Sequence, residues 1–285
     1  MAEKFLVIGD SSFYGSNFIK LLEAKGESVT KLSLRDWLPE HLFDSDPDYI
    51  VNFAAANIVA QSWKDPLEYI DCNVIEHSAI FSHLQRHKKL KKYVHVSTPE
   101  VYGTTEGWVD ETYSKWEPTT PYAVTRAAGD MMLMAYQKAH KLPAVITRTA
   151  NIYGPGQPDH RIIPATIKKI REGKKLGLDG GGKSVRCFIH VKDACEATYK
   201  VAKQGSPGQT YHISTNHQIK IYDLVKKICT LMGKRMEDVV EQTPERLGKD
   251  FAYLLKSERI RNMGWRDTIT LDRGLQELCE SYRSS

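Results

Sequence analysis

The sequence predicts an α/β chain: a Rossmann-type doubly wound parallel sheet with a smaller, mixed C-terminal substrate lobe. Three observations carry this reading. Apolar, strand-like runs alternate with helical patterns, as parallel βαβ units require. The first strand runs straight into a turn of small residues, GDSSFYG. After about Gly154 the alternation gives way to a Gly-rich, less regular stretch.

The elements follow in order. KFLVIGD, Lys4 to Asp10, is short and continuously apolar, like a strand covered on both faces. NFIKLLEAKGE sets Phe18, Leu21 and Leu22 on one helical face and stops at Gly26. SVTKLSL and DYIVNFAAA read as strands, PLEYIDCNVIEHSAIFSHLQRH as a helix, and KKYVHVST as the fourth strand. YAVTRAAGDMMLMAYQKAH reads as a long helix and PAVITRTANIYG as one further strand. Beyond it, GLDGGGKSVRCFIHVKDA is irregular, and two amphipathic helices are expected around IYDLVKKICTLMG and SERIRNMGW. Residues 1–154 are therefore expected to form a dinucleotide-binding domain that carries the catalytic residues. Residues 155–285 should mainly bind substrate, with some segments returning to the main sheet. The lobe should lie across the carboxyl ends of the strands, where doubly wound sheets bind ligands.

Composition narrows the class. A chain of 285 residues, 41% hydrophobic and 26% charged, suits a soluble globular protein with one large domain and a lobe. The formal charge of +5 is carried in short runs such as KKLKK (Lys88 to Lys92) and KKIREGKK (Lys168 to Lys175), which read as solvated helix faces. They lack the aromatic platform of a nucleic-acid groove, so no nucleic acid is expected. Cys72, Cys187, Cys195, Cys229 and Cys279 form no CxxC pair, which argues against a disulfide framework or a zinc site and fits a reducing compartment. His160 and His190 flank the expected lobe without metal spacing, so no metal is expected. With no apolar run near membrane-spanning length, and MAEKFLVIG entering a strand, the expectation is a cytoplasmic protein with no membrane partner.

The turn GDSSFYG has GxxGxxG spacing, with Gly9 closing the strand, Gly15 opening the helix and Ser12 in the middle glycine's place. Small residues let the backbone approach a pyrophosphate, which the helix N-terminus then holds. Ser12 either hydrogen-bonds a phosphate or sets the ligand slightly farther out. An acidic residue ending the second strand would read the ribose 2′-OH of NAD. Here KLSLRDW puts Ser33 in that place with Arg35 following, a hydroxyl and a guanidinium that suit a 2′-phosphate. NADP is therefore favoured, with Asp36 keeping NAD open.

YVHVST delivers Ser97 and Thr98 to the carboxyl edge of the sheet, followed by Pro99 and Glu100. TPYAVTR places Tyr122 four residues before Arg126, on one helical face. A cation one turn from a phenol is expected to lower its pKa. Such a Tyr, with a strand-end hydroxyl beside it, can take an alcohol proton while a hydride leaves to nicotinamide.

At this point the chain resembles the extended short-chain dehydrogenase/reductases that act on nucleotide sugars, the epimerase/dehydratase family, over nearly its whole length. GDSSFYG resembles the family's GxxGFxG turn, including Phe13 and Tyr14. NFAAAN, with Ala54 and Ala55, resembles the segment passing under the cofactor, and DCNVIEHSAIF the helix carrying its usual Asn, here Asn73. STPEVYG resembles the active-site strand end and PYAVTRAA the YxxxK helix, with Arg126 in the Lys position. TRTANIYGPGQ resembles the NxYGP segment, so Asn151 would contact the sugar nucleotide; HRIIP follows, with Arg161. The tail ERLGKDFAYLLKSERIRNMGW is most similar to the dTDP-glucose 4,6-dehydratase branch. The resemblance implies that Arg186 and Arg246 grip the substrate diphosphate. It also implies a tightly bound, recycled cofactor, a UDP-, dTDP-, GDP- or CDP-hexose substrate, and a homodimer joined through a helix bundle that includes the Tyr122 helix. By the same resemblance, Tyr122 deprotonates the sugar C4 hydroxyl, Thr98 helps hold it, and Glu100 removes the C5 proton. In that branch an Asp precedes the Glu and protonates the departing C6 hydroxyl; here that position is Pro99, which has no proton to give. The reading favoured is dehydration across C5–C6, giving a 4-keto-6-deoxy or 5,6-unsaturated sugar nucleotide. C4 or C5 epimerisation or uronate decarboxylation comes second, and binding without turnover third.

Overall fold

Six parallel strands form the main sheet in the computed structural model, which describes residues 2–33, 42 and 44–283. Their spatial order is Thr210–Ile213, Ala144–Thr149, Lys92–Ser97, Tyr49–Asn52, Lys4–Ile8 and Ser28–Leu32. The strand Lys4–Ile8 therefore has the second strand on one side and the third on the other. Crossovers leave it in opposite directions, and a crevice opens at its carboxyl end.

The continuously apolar strands have a direct cause. Alternate residues of a strand face opposite sides, and both sides are covered. Phe5, Val7, Val51, Val94 and Val145 pack with Phe18 and Leu22 of the helix Phe13–Ala24 and with Ala194, Ala197 and Val201 of the helix Val191–Gln204. Leu6, Ile8, Ile50, Tyr93 and Ile146 pack against Ile80, Phe81, Leu84 and Leu133 on the other side.

Three expectations need correction. PAVITRTANIYG is two strands. Ala144–Thr149 stays in the main sheet, whereas Asn151–Tyr153 pairs with Val185–His190 in a small mixed sheet completed by Gln218–Lys220. KKLKK is not a helix face but a turn entering the fourth strand. Its last residue, Lys92, is buried, with Nζ donating to the carbonyl of Gly205. The stretch after Gly154 is also more regular than its glycines suggest. It contains the helices Ile162–Arg171, Val191–Gln204 and Leu271–Arg283, while SERIRNMGW supplies only the short helix Glu258–Asn262. The first two hide behind lysine-rich or small-residue sequence, yet they bury Ile163, Ile167 and Ile170, and Ala194, Ala197 and Val201, at helical spacing. Ile163 and Ile167 join Leu224, Ile228, Leu275 and Leu278 in a second core beside the main sheet.

The segment PLEYIDCNVIEHSAIF is helical throughout but widens to π geometry over Asp71–Glu76. Asn73 in that stretch is fully buried. The long helix Pro121–His140 crosses it at Gly129, where a Cβ would stand 2.8 Å from the Asn73 carbonyl oxygen.

Candidate active site

The fourth strand ends at Ser97, and Thr98 continues it in extended backbone. The Thr98 hydroxyl accepts from the Glu100 N–H at 3.2 Å and starts the 3-10 turn Pro99–Tyr102. A proline fits the first position of such a turn because its missing N–H would have had no partner. Pro99 is thus a turn starter that carries Glu100 over the sheet edge. Thr120 caps the helix Pro121–His140 in the same way, accepting from the Ala123 N–H at 3.1 Å. That fixes Tyr122 in the first turn and Arg126 one turn on.

These segments meet in a cleft of about 410 Å³. Ser12, Phe13, Tyr14, Ala55, Thr98, Pro99, Glu100, Tyr122, Arg126, Asn151 and Arg161 all line it. The electrostatics differ from the simple expectation in one respect. Tyr122 has a raised pKa, not a lowered one: burial dominates, Glu100 adds to it, and Arg126 and a hydrogen bond with Thr98 offset only part. The Glu100 carboxyl is pushed up to about 7, first by burial and then by Asp250; the charges of Arg186, Arg161 and Arg246 pull the other way. A carboxyl held there exchanges protons readily at neutral pH.

Arg126 is almost wholly buried. Its Nη2 donates to the Val96 carbonyl at 2.5 Å and meets His95 Nε2 at 3.4 Å. Its Nε and Nη1 have no hydrogen-bond partner among the described residues. Two unspent donors on a buried guanidinium bordering the cleft fit a ligand hydroxyl.

The small-residue turn is tightly built. Gly9 has φ of +80°, and a Cβ there would stand 2.6 Å from the Ala54 backbone nitrogen, so only glycine lets the first and third strand ends close together. The Ser12 hydroxyl donates to the Gly9 carbonyl at 2.7 Å and accepts from the Gly15 N–H at 3.0 Å. It caps the helix Phe13–Ala24. The Tyr14 hydroxyl donates to Ala194 O at 2.8 Å beside Thr198. Ser33 follows the second strand, whose Leu32 carbonyl accepts from the Gly9 N–H at 2.9 Å. Arg35 and Asp36 lie outside the described residues.

Four other expected site residues stand elsewhere. Asn73 spends its amide on the Ala56 N–H and carbonyl and on Thr125 Oγ1, so it bolts the loop after the third strand to the two flanking helices. Ala54 anchors the same loop through a bond from its N–H to Asn52 Oδ1. Arg186 donates to the carbonyls of Val185, Asp250 and Phe251 and stacks 4.2 Å over the Tyr253 ring. Arg246 is half-exposed and paired with Asp179 at 2.6 Å. Of the three arginines expected at the substrate, Arg161 borders the cleft; Arg186 and Arg246 reach Glu100 by their charge alone.

Sequence reasoning missed Tyr253, a buried residue that lines the cleft and donates to Asn151 Oδ1 at 3.2 Å. Its only sequence signal was an aromatic residue in the tail FAYLL, which packing alone explains equally well. Also missed was the ion pair behind the Tyr122 helix, Arg148 with Asp130.

Residues 5–214 match the NAD dependent epimerase/dehydratase family. The chain is 33% identical over 251 residues to dTDP-D-glucose 4,6-dehydratase of Homo sapiens, covering 86% of this chain and 71% of the relative. Among solved structures, DesIV, the dTDP-glucose 4,6-dehydratase of Streptomyces venezuelae with NAD bound, superposes with a TM-score of 0.92 at 27% identity, covering 99% of this chain and 97% of that one. The dTDP-glucose 4,6-dehydratase of Bacillus anthracis in complex with NAD gives a TM-score of 0.88 at 30% identity, covering 100% and 97% of the two chains.

Proposed function

We propose that this chain, which belongs to the NAD dependent epimerase/dehydratase family, is a nucleotide-sugar dehydratase that removes water across C5–C6 of the hexose. The observation that carries the proposal is the convergence of Thr98, Glu100, Tyr122 and Arg126 in one cleft, with the Glu100 carboxyl near neutrality. That group is poised to act as a base beside an alcohol-oxidising pair. Relatives named dTDP-glucose 4,6-dehydratases, similar over most of the chain, favour the same reading.

A nicotinamide dinucleotide, when bound, accepts a hydride from the sugar C4 and returns it. Three features fit it: the tight turn from Gly9 to Gly15 at the sheet's switch point, the helix N-terminus behind that turn, and the unspent Nε and Nη1 of Arg126. The chain's own residues do the rest. Tyr122 takes the C4 hydroxyl proton, with Thr98 holding its phenol in place. With C4 a ketone, the C5 hydrogen is acidified and Glu100 removes it. Arg161 offers its guanidinium to the diphosphate. Solved relatives carry NAD; Ser33 and Arg35 favour NADP, and titration with each dinucleotide ranks the two.

Pro99 keeps a second reading in view, since the position that donates a proton in the dehydratase branch is empty of one. On that reading Glu100 only removes or redelivers a proton, or is structural, and the reaction is C4 or C5 epimerisation or loss of carbon dioxide from a uronate. Incubation with UDP-, dTDP-, GDP- and CDP-hexoses, read by product mass, separates them. Loss of water supports dehydration, unchanged mass with altered NMR couplings supports epimerisation, and loss of carbon dioxide supports decarboxylation. No product from any donor leaves a binding role.

A further inference from the structure

We propose that Tyr253 is the acid that protonates the departing C6 hydroxyl, the task for which Pro99 has no group; this rests on the dehydratase reading above. Tyr253 lines the same cleft as Pro99 and Glu100, on the lobe side, and is buried. Its hydroxyl donates to Asn151 Oδ1 at 3.2 Å, long for an O–H donor, so the proton can be redirected to a substrate oxygen at little cost. The Arg186 guanidinium lies 4.2 Å over its ring and is pinned there by backbone carbonyls on three residues. A fixed cation on that face stabilises the charge that develops as the phenol gives up its proton.

The two groups are also coupled in the required sense. The phenol of Tyr253 is pushed up to about 12, chiefly by burial, with Arg186 pulling it down and the charges of Glu100 and Asp250 holding it up. When Glu100 takes the C5 proton it becomes neutral, and its share of that opposition is removed. Tyr253 thus becomes a stronger acid at the moment the leaving group needs one. Of the other hydroxyls lining the cleft, those of Ser11, Ser12, Ser97, Thr98 and Thr149 are alcohols and far weaker acids, the Tyr14 phenol is engaged with Ala194 O and Thr198, and the Tyr122 phenol serves the C4 hydroxyl.

The step balances. With C4 a ketone, the C5–H bond breaks and its proton goes to Glu100. The C5–C6 double bond forms as the C6–O bond breaks, the oxygen keeping the electron pair and taking the Tyr253 proton to leave as water. The tyrosinate regains a proton from solvent, matched by the one that Tyr122 took from the C4 hydroxyl and releases.

Tyr253→Phe tests this on the substrate that the product-mass screen identifies, beside its analogue with fluorine in place of the C6 hydroxyl. Fluoride leaves without a proton. The variant should still oxidise C4, seen as reduced-dinucleotide absorbance on mixing, and still take up solvent deuterium at C5. Its water loss should fall about 100-fold or more, while its fluoride loss stays within a few-fold of the parent. Water loss close to the parent's, or equal falls for both leaving groups, overturns the proposal. A fluorinated tyrosine at position 253 makes the phenol more acidic with little change of shape, and covers the case in which Tyr253→Phe misfolds. Water loss should then respond to phenol acidity and fluoride loss should not; an insensitive rate overturns the assignment. Absence of water loss in the parent from every donor overturns the dehydratase reading itself, which the Tyr253→Phe comparison alone does not do.

Discussion

Arg148 grips Asp130 through two hydrogen bonds to one carboxylate oxygen, 2.8 Å from Nη2 and 3.2 Å from Nε, with both side chains closed off from solvent. Asp130 sits one turn beyond Arg126 on the helix that carries Tyr122, and His95 Nε2 lies 3.4 Å from its other oxygen. The pair therefore fixes the rotation of the helix that carries Tyr122 against the sheet.

Removing one partner leaves the other charge buried and unpaired. Asp130→Asn should cost about 3–5 kcal/mol, measured by urea unfolding. Burial, the largest single effect, would raise the Asp130 carboxyl, but Arg148, His95 and Arg126 together outweigh it and hold the group well below the usual carboxylate range. Because the folded value is depressed, its contribution to stability is present above the unfolded carboxylate range and is lost as pH falls. The variant should show a weaker acid dependence of stability than the parent.

Glu100 has the opposite sign. Its folded carboxyl is raised to about 7, so between the ordinary carboxylate range and that value the folded chain holds more protons than the unfolded one. Stability should fall as pH rises through this window, by no more than about 3 kcal/mol. The base step should gain rate over the upper part of the same window as the carboxylate forms. Glu100→Gln should be spared the stability loss and should lose less melting temperature between pH values below and above the window. The same variant should cut C5 deuterium uptake about 100-fold or more while C4 oxidation continues; full activity would remove Glu100 from the mechanism.

Arg161 and Arg246 separate cleanly by position. Arg161 borders the cleft, whereas Arg246 is spent on Asp179. Loss of a charge-assisted bond to a diphosphate is worth about 1.5–3 kcal/mol, so Arg161→Ala should raise KM for the nucleotide sugar about tenfold or more. Arg246→Ala should change it by no more than about threefold. A comparable rise in both variants would return the diphosphate to Arg246.

We expect a homodimer through the outer faces of the two helical segments that pack beside the cleft. Val124, Met131 and Met134 on one, and Leu67, Ile70 and Ile75 on the other, are exposed apolar side chains. Exposed apolar side chains on two helical segments that pack together favour a partner, and the proposed one is a second copy of the chain. Light scattering should give twice the chain mass, and Met131→Asp should shift it toward one chain; a monomeric parent would end this expectation.

Much of the scaffold was legible because its signals are local. KFLVIGD, YIVN and YVHVST announce buried strands by continuous apolarity, and Gly9 marks a turn that no residue with a Cβ can make. The break at Ala150 was not legible. Nothing in TRTANIY distinguishes a strand that continues from one that leaves its sheet, since the choice is made by Val185–His190 offering a new edge. The lobe helices were obscured because their buried faces use small residues or sit among lysines, and only the packed neighbour reveals which face is inward.

The sequence by itself determined the doubly wound architecture, the tight turn from Gly9 to Gly15, and the Thr98, Glu100, Tyr122 and Arg126 set, because each depends on residue type and spacing within one or two elements. Tertiary structure decided what those residues experience. Burial turned the expected lowering at Tyr122 into a rise and lifted Glu100 toward neutrality, and distant carbonyls and carboxylates claimed Arg186 and Arg246. It also brought Tyr253, more than a hundred residues along the chain, to the cleft that Pro99 lines. Desolvation and charge act through space and depend on everything packed nearby, so no spacing along a chain encodes them.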